Sequence, residues 1–337
     1  RSPRETLSLL PMIFSVCGQA HLCVAARAFR SMDVETGPGE PTAALRVLAE
    51  NAREHLLRII LGWSGEDPET IGQLPVKKVM SLVADMRAIT GSGEINRSAV
   101  ETFSRDLAEL LERSFFRHAP AQWLERDSLC EFEEWMATSN TVVSRYLREI
   151  CEMDWQSIGA ADIDYLPAIP LQNLRDRLHE RGGRDFIARP DWNGMNFETG
   201  PLARCHEQAL VAAIIDKYGA GLLARHVARL VELAAIPHEI LMLLDGQRDV
   251  RRLFAKVQGI GMVETARGRL FHSVQMREGK ITDYRILAPT EWNFHPAGSA
   301  AKSLRTLACA GDGEWKQQAQ MLVAAIDPCV NFEVRVP

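Results

Sequence analysis

The stretch Glu264-Thr-Ala-Arg-Gly-Arg-Leu-Phe-His272, followed by Glu278-Gly-Lys-Ile281, Tyr284 and Ala288-Pro-Thr-Glu-Trp-Asn293, decides how this chain folds. Its period is two. Residues 263–265, 269–276 and 281–287 read as strands, and Glu278-Gly279 reads as the turn between the last two. Gly268 directly after Arg267 allows a close backbone approach. An arginine at a strand end and Thr290 after Pro289 supply N–H and O–H donors, which suit a small anionic group. Two readings stay open on these residues alone. Either the donors face a ligand, or Arg267 pairs with Glu264 and Pro289 only shapes a turn.

Outward from this stretch the period changes to that of helices. On residues 41–63, Leu45, Leu48, Ala52, Leu56, Ile59, Ile60 and Trp63 form one stripe, with Thr42 as the expected cap. Helical patterns also cover residues 76–90, 98–116, 121–151, 202–218, 220–258 and 314–326. Residues 7–29 read as one buried helix. Residues 160–196 are rich in Pro, Gly, Asp and Arg, and are expected to form a long irregular connection. It does not separate two self-sufficient cores, so residues 1–337 are expected to form a single domain. The fold class is α+β, predominantly helical, with a small antiparallel hairpin region.

The 337 residues are 46% hydrophobic and 25% charged, which excludes a disordered or coiled-coil chain. A chain of this length buries roughly 75% of its unfolded surface and needs no disulfide staples. The net charge of -5 leaves no electrostatic footprint for nucleic acid. No apolar run is long enough to span a membrane, and no signal peptide is recognisable. Seven scattered cysteines point to a reducing, cytoplasmic setting. The chain begins at Arg1, so a short preceding piece is expected.

Metal chemistry rests on few residues. No C-x-x-C pair is present. Cys17 and His21 share a face if helical. The alternative is a buried cysteine beside a packed histidine. In Asp327-Pro-Cys329 the proline ends a helix, which places Cys329 on a turn, either aimed at a ligand or buried in a terminal strand.

Taken together, these segments resemble the large subunit of nickel–iron hydrogenases. That family carries C-x-x-C-x-x-x-H near one end, D-P-C-x-x-C-x-x-H near the other, and E-A-P-R-G-x-L-x-H, a hairpin and P-T-x-W-N between them. Here stand Glu264-Thr-Ala-Arg-Gly268, His272, Tyr284 and Pro289-Thr-Glu-Trp-Asn293, with Glu198-Thr-Gly-Pro-Leu-Ala-Arg204 similar to the family's E-x-G-P-L-A-R. The resemblance extends from about Met12 to Arg335 and is weakest over residues 65–186. It aligns Cys17 and His21 with the second cysteine and the histidine of the first motif, and Cys329 with the first cysteine of the last. Phe14, Phe332 and Arg335 stand where two cysteines and a histidine are expected.

Those departures decide what the resemblance implies. Phenylalanine has no lone pair for a soft metal, so no nickel is expected and hydrogenase activity is not. The groups that the family uses around its iron cyanides are kept as Arg267 and Thr290, with Ala266 in place of a proline and Pro289 beside Thr290. An Fe(CN)2CO unit on two thiolates carries a charge of about -2, which favours a cation and donors nearby. This pattern is similar to the HupK/HoxV-type hydrogenase maturation proteins. It implies a non-catalytic scaffold that holds Fe(CN)2CO transiently through Cys17 and Cys329, lined by Arg267, Thr290, Pro289, Ala266 and His21. The implied partners are HypC/HypD-like maturation proteins and the hydrogenase large-subunit precursor. With Arg335 at the histidine position and the sequence ending at Pro337, no cleaved extension is expected. The alternative is a metal-free chaperone or a degenerate large-subunit homologue.

Overall fold

A computed structural model describes residues 2–63, 75–91, 95–246, 257–307 and 314–335. Helices dominate it, as expected. The largest core gathers around two long helices, Glu40–Trp63 and Leu222–Leu244, with Val76–Ile89, Arg97–Leu111 and Val142–Glu152 packed against them. Leu45, Leu56, Ile59, Leu223, Val227 and Leu230 are buried there, on the helical stripes that the sequence displays.

The three expected strands are Ile260–Thr265, Gly268–Arg277 and Lys280–Leu287, paired in that order as an antiparallel sheet. Glu278 and Gly279 both have positive φ, 52° and 74°, as a tight hairpin turn requires. The helix Gly18–Arg30 lies directly on the first strand. A Cβ on Gly261 would come 2.2 Å from the Val24 carbonyl oxygen, so only glycine fits this crossing. The helix answers with Ala20, Ala25, Ala26 and Ala28, all buried. A separate cluster of Leu166, Ile169, Leu174, Phe186, Phe271 and Trp292 fastens the middle of the chain to the sheet.

Several expectations need correction. Residues 7–29 form two helices, Pro3–Ile13 and Gly18–Arg30, broken at Phe14–Cys17. Thr42 is not a cap. The helix starts at Glu40, with Pro41 in its first turn, where no N–H partner is needed, and Thr42 is buried inside it. The 121–151 pattern is three helices, Pro120–Leu124, Leu129–Thr138 and Val142–Glu152, the last two started by Ser128 and Thr141 as N-caps. The 160–196 segment contains the helices Leu171–His179 and Gly183–Ala188, and Asp164–Tyr165 pairs in parallel with Phe197–Glu198. The 220–258 helix ends at Leu244, and residues 247–256 lie outside the described residues.

Candidate functional site

Both ends of the chain meet at one place. Cys17 is the N-cap residue of Gly18–Arg30, at the break after Phe14. Cys329 follows the helix Glu314–Ile326 by three residues, as the proline implied. The short helix Pro289–Asn293 carries Thr290. The Thr290 hydroxyl donates to the Cys329 sulfur at 3.4 Å. Burial pushes the Cys17 thiol up to about 12, with Glu50 adding to the rise, Arg267 opposing it and Cys329 adding again. Cys17, Cys329, Arg267 and Thr290 thus belong to one cluster. Ala266 and Pro289, the chain neighbours of Arg267 and Thr290, are both buried.

The Arg267 turn is held by the motif segments that surround it. Gly268 has φ 130°, and a Cβ there would lie 2.5 Å from Thr199 Cγ2. A Cβ on Gly200 would be 3.1 Å from the Arg267 carbonyl oxygen. The Thr265 hydroxyl accepts from the Arg267 N–H at 3.2 Å and donates to the Gly268 carbonyl at 2.9 Å. Thr199 Oγ1 accepts from the Arg269 N–H at 3.0 Å. The guanidinium is aimed away from Glu264. Its Nη2 donates to Glu54 Oε2 at 3.1 Å, and its Nε lies 3.5 Å from Asp327 Oδ1. Glu264 pairs instead with Arg204 and Arg269. Of the two readings left open by the sequence, the local Arg267–Glu264 pairing fails, and among the described residues Nη1 of Arg267 has no hydrogen-bond partner.

Asp327 is the hub of this charge cluster, at 3% exposure. Arg58 donates to its Oδ1, and Arg229 Nη1 lies 3.7 Å from its Oδ2. Burial pushes the Asp327 carboxyl up, but Arg229, Arg267 and Arg58 outweigh it and hold it below the usual carboxylate range. Arg53 occupies the other oxygen of Glu54. Among the described residues, four guanidiniums, Arg53, Arg58, Arg229 and Arg267, thus face two carboxylates, Glu54 and Asp327, an excess of two positive charges before Glu50 is counted. Glu50 stands beside them. It accepts from the Gln19 and Ala20 N–H groups at 2.8 and 2.9 Å, at the positive end of the helix that Cys17 opens. Burial raises its carboxyl to about 7 despite those bonds.

His21 faces elsewhere. Its ring stacks on Phe14 with centroids 3.7 Å apart and planes 3° from parallel. Its Nδ1 is 2.9 Å from His272 Nε2, and His272 Nδ1 is 2.7 Å from the Tyr284 hydroxyl. Burial lowers the His21 pKa to about 4. No hydrogen bond joins His21 to either thiol among the described residues. Of the other cysteines, Cys23 and Cys205 are buried, Cys151 is half-buried and Cys130 exposed, while Cys309 lies outside the described residues.

Sequence reasoning missed Glu50, Glu54, Arg58, Arg229 and Asn293. Glu50 and Glu54 are four apart on a helix whose apolar stripe is already complete, so nothing marks a second buried face. A Ser273–His179–Asp283 hydrogen-bonded chain, with both links 2.9 Å, was missed as well. Ser273 is fully buried and its hydroxyl donates to the Gly259 carbonyl, so the chain ties the sheet to Leu171–His179 and presents no nucleophile. Among the described residues no group of three or more His, Cys, Asp or Glu is placed to hold a metal ion, and no helix is long and apolar enough to cross a membrane. A cavity of about 770 Å³ lies behind Glu264, and neither Cys17 nor Cys329 lines it.

The chain is similar to known proteins along most of its length. Residues 136–330 match the nickel-dependent hydrogenase family. The chain is 31% identical to the hydrogenase expression/formation protein HoxV of Cupriavidus necator, over 97% of this chain and 86% of that protein. It is 30% identical to HupK, of the same description, from Rhizobium leguminosarum bv. viciae, over 100% of this chain and 88% of that protein. A nickel–iron–selenium hydrogenase variant from Desulfovibrio vulgaris Hildenborough superposes with a TM-score of 0.63 at 14% identity, covering 98% of this chain and 88% of that one.

Proposed function

We propose a carrier function from the premise that this chain belongs to the nickel-dependent hydrogenase family, among its HoxV/HupK/HupV expression/formation proteins. Its role lies in hydrogenase maturation. The cargo is an Fe(CN)2CO unit, received from a HypC/HypD-like complex and delivered to the large-subunit precursor, with no nickel bound and no redox turnover. Cys17 and Cys329 take the iron by thiolate exchange. Their sulfur lone pairs replace the donor's thiolates on iron(II), and their thiol protons leave with the departing sulfurs. No oxidation state changes. Arg267 Nη1 and the Thr290 hydroxyl supply hydrogen bonds to the cyanides, and the surplus of guanidinium charge offsets the dianion. Two protein thiolates, rather than a closed cage, keep the cargo exchangeable.

One observation carries this reading. The cluster brings both cysteines, a buried guanidinium and a threonine hydroxyl together from four distant parts of the chain, with Thr290 bonded to Cys329. Infrared spectra of protein purified without oxygen from cells that contain the maturation machinery test it. Bands from bound CO and cyanide are expected, and Cys17→Ala or Cys329→Ala should abolish them. Intact protein without such bands would sink the carrier function.

A second reading is a metal-free chaperone that uses the shared fold to contact hydrogenase partners. It is favoured by the pairing of Arg267 with Glu54, which satisfies much of the guanidinium without a ligand. It requires that Cys17→Ser leave maturation of the client hydrogenase intact, whereas the carrier function requires that it fail.

A further inference from the structure

The two proposed cyanide donors lie on different elements, and one side chain ties those elements together. Arg267 is in the turn between the first two strands of the sheet. Thr290 is in the helix Pro289–Asn293, which ends at Asn293. Asn293 is 2% exposed. Its Oδ1 accepts from the Thr199 N–H at 2.8 Å, and its Nδ2 donates to the Arg267 carbonyl at 3.3 Å. Thr199 in turn accepts from the Arg269 N–H. The Asn293 backbone is fixed from the other side, where its carbonyl accepts from the Ser299 hydroxyl at 3.2 Å. The amide therefore spans three segments at once: the Phe197–Glu198 strand exit, the Arg267 turn and the Thr290 helix. Both faces of a side-chain amide are needed for this, one accepting and one donating, and neither aspartate nor leucine of similar size offers both.

We propose that Asn293 is a positioning residue that sets the distance between Arg267 and Thr290, and so the fit of the two donors to the cargo. This rests on the carrier function proposed above. Asn293 does not touch the cargo; it acts only through the Arg267 carbonyl and its own helix. Hydrogen bonds to a cyanide depend steeply on distance and angle, so a small shift of the turn changes the donors without removing them.

The test uses the full chain, loaded as above. Asn293→Ala should shift and broaden the cyanide bands more than the CO band. Release of the cargo to added dithiothreitol should be about tenfold faster, the effect of losing roughly one hydrogen bond's worth of support. Asn293→Asp keeps the side-chain shape and the acceptor for the Thr199 N–H but removes the donor to the Arg267 carbonyl; it should shift the cyanide bands in the same direction. It also keeps the test alive if the alanine variant does not fold. Wild-type band positions and release rates in whichever of these variants fold and load would overturn the proposal. A readout without cargo separates its failure from that of the carrier function. In the empty protein Asn293 Oδ1 holds the Thr199 N–H and Nδ2 holds the Arg267 turn. Asn293→Ala should therefore speed hydrogen–deuterium exchange at Thr199 and through residues 265–269, with exchange in Leu222–Leu244 unchanged. Faster local exchange with no bands in the wild type would leave the positioning role standing and remove only the cargo. Unchanged exchange in the folded variants would remove the positioning role itself.

Discussion

Replacing Asp327 by asparagine removes one charge from the centre of the cluster and leaves its shape almost unchanged. Arg58, Arg229 and Arg267 then lose their common counter-charge. Removing one partner of a buried ion pair costs about 3–5 kcal/mol, because the remaining charge stays desolvated. The unfolding entropy of a globular chain is about 2.1 cal/mol/K per residue, so 337 residues convert roughly 0.7 kcal/mol into each degree of melting temperature. A cost of about 4 kcal/mol is therefore a fall of roughly 6 °C for the empty protein. The charge count gives the second half of the prediction. The substitution raises the guanidinium excess from two to three, and a dianionic cargo would offset two of those charges. The fall should thus be clearly smaller for loaded protein than for empty protein. Differential scanning calorimetry on both forms of both proteins measures the four values needed. The pH dependence adds a check. The folded Asp327 carboxyl lies below its ordinary value, so its stabilisation is present above the ordinary carboxylate range and is lost as pH falls below it. The asparagine variant should lose less stability than wild type on acidification. A fall of less than 1–2 °C in the empty protein, or an equal fall with and without cargo, would refute the reasoning.

Glu232 gives a second acid-sensitive contribution. Burial alone would raise its pKa, yet Arg204 and His55 hold it down to about 2, so its stabilisation is full above about pH 4.5 and is lost as pH falls toward 2. Melting temperature should drop through that window, and Glu232→Gln should flatten the drop; parallel curves would contradict the assignment. Gly268→Ala places a Cβ 2.5 Å from Thr199 Cγ2 at φ 130°, which should cost about 1–3 kcal/mol in urea denaturation, and an unchanged midpoint would show that the turn tolerates a side chain. Thr290→Val removes the hydroxyl that bonds Cys329 and should move one cyanide band of loaded protein while the other stays, with little change in melting temperature; two unmoved bands would exclude Thr290 from the cargo.

The fold was legible where one period held over a whole element. The strands 263–265, 269–276 and 281–287 differ from the observed ones by a few residues at their ends, and the Glu278-Gly279 turn stands where its residue types put it. Periodicity alone cannot see a break with no proline or glycine in it. Phe14-Ser-Val-Cys17 looks like more helix, and only tertiary packing opens it. Pro11 does not mark the break, because it lies inside the first helix and not at its end. The same limit merged three helices into one pattern over 121–151. Polar caps at Ser128 and Thr141 were the available signal.

The site was legible as motifs and illegible as pairings. Cys17, Cys329, Arg267 and Thr290 can be singled out by residue type, yet the partner of Arg267 stays open on the sequence, and the nearest acid, Glu264, pairs instead with Arg204 and Arg269. Adjacent strand positions face opposite ways, so a residue three positions off across a turn has no privilege over one 213 positions away on a packed helix. His21 shows the same effect. Spacing alone puts it on the face of Cys17, whereas Phe14, seven residues earlier, covers its ring and His272 meets its Nδ1. The Phe14 ring lies flat against the imidazole, so the pair packs as one unit beside the sheet. Arg58, Arg229 and Arg267, from three separate elements, converge on Asp327, two residues before Cys329, and no local spacing could show that convergence.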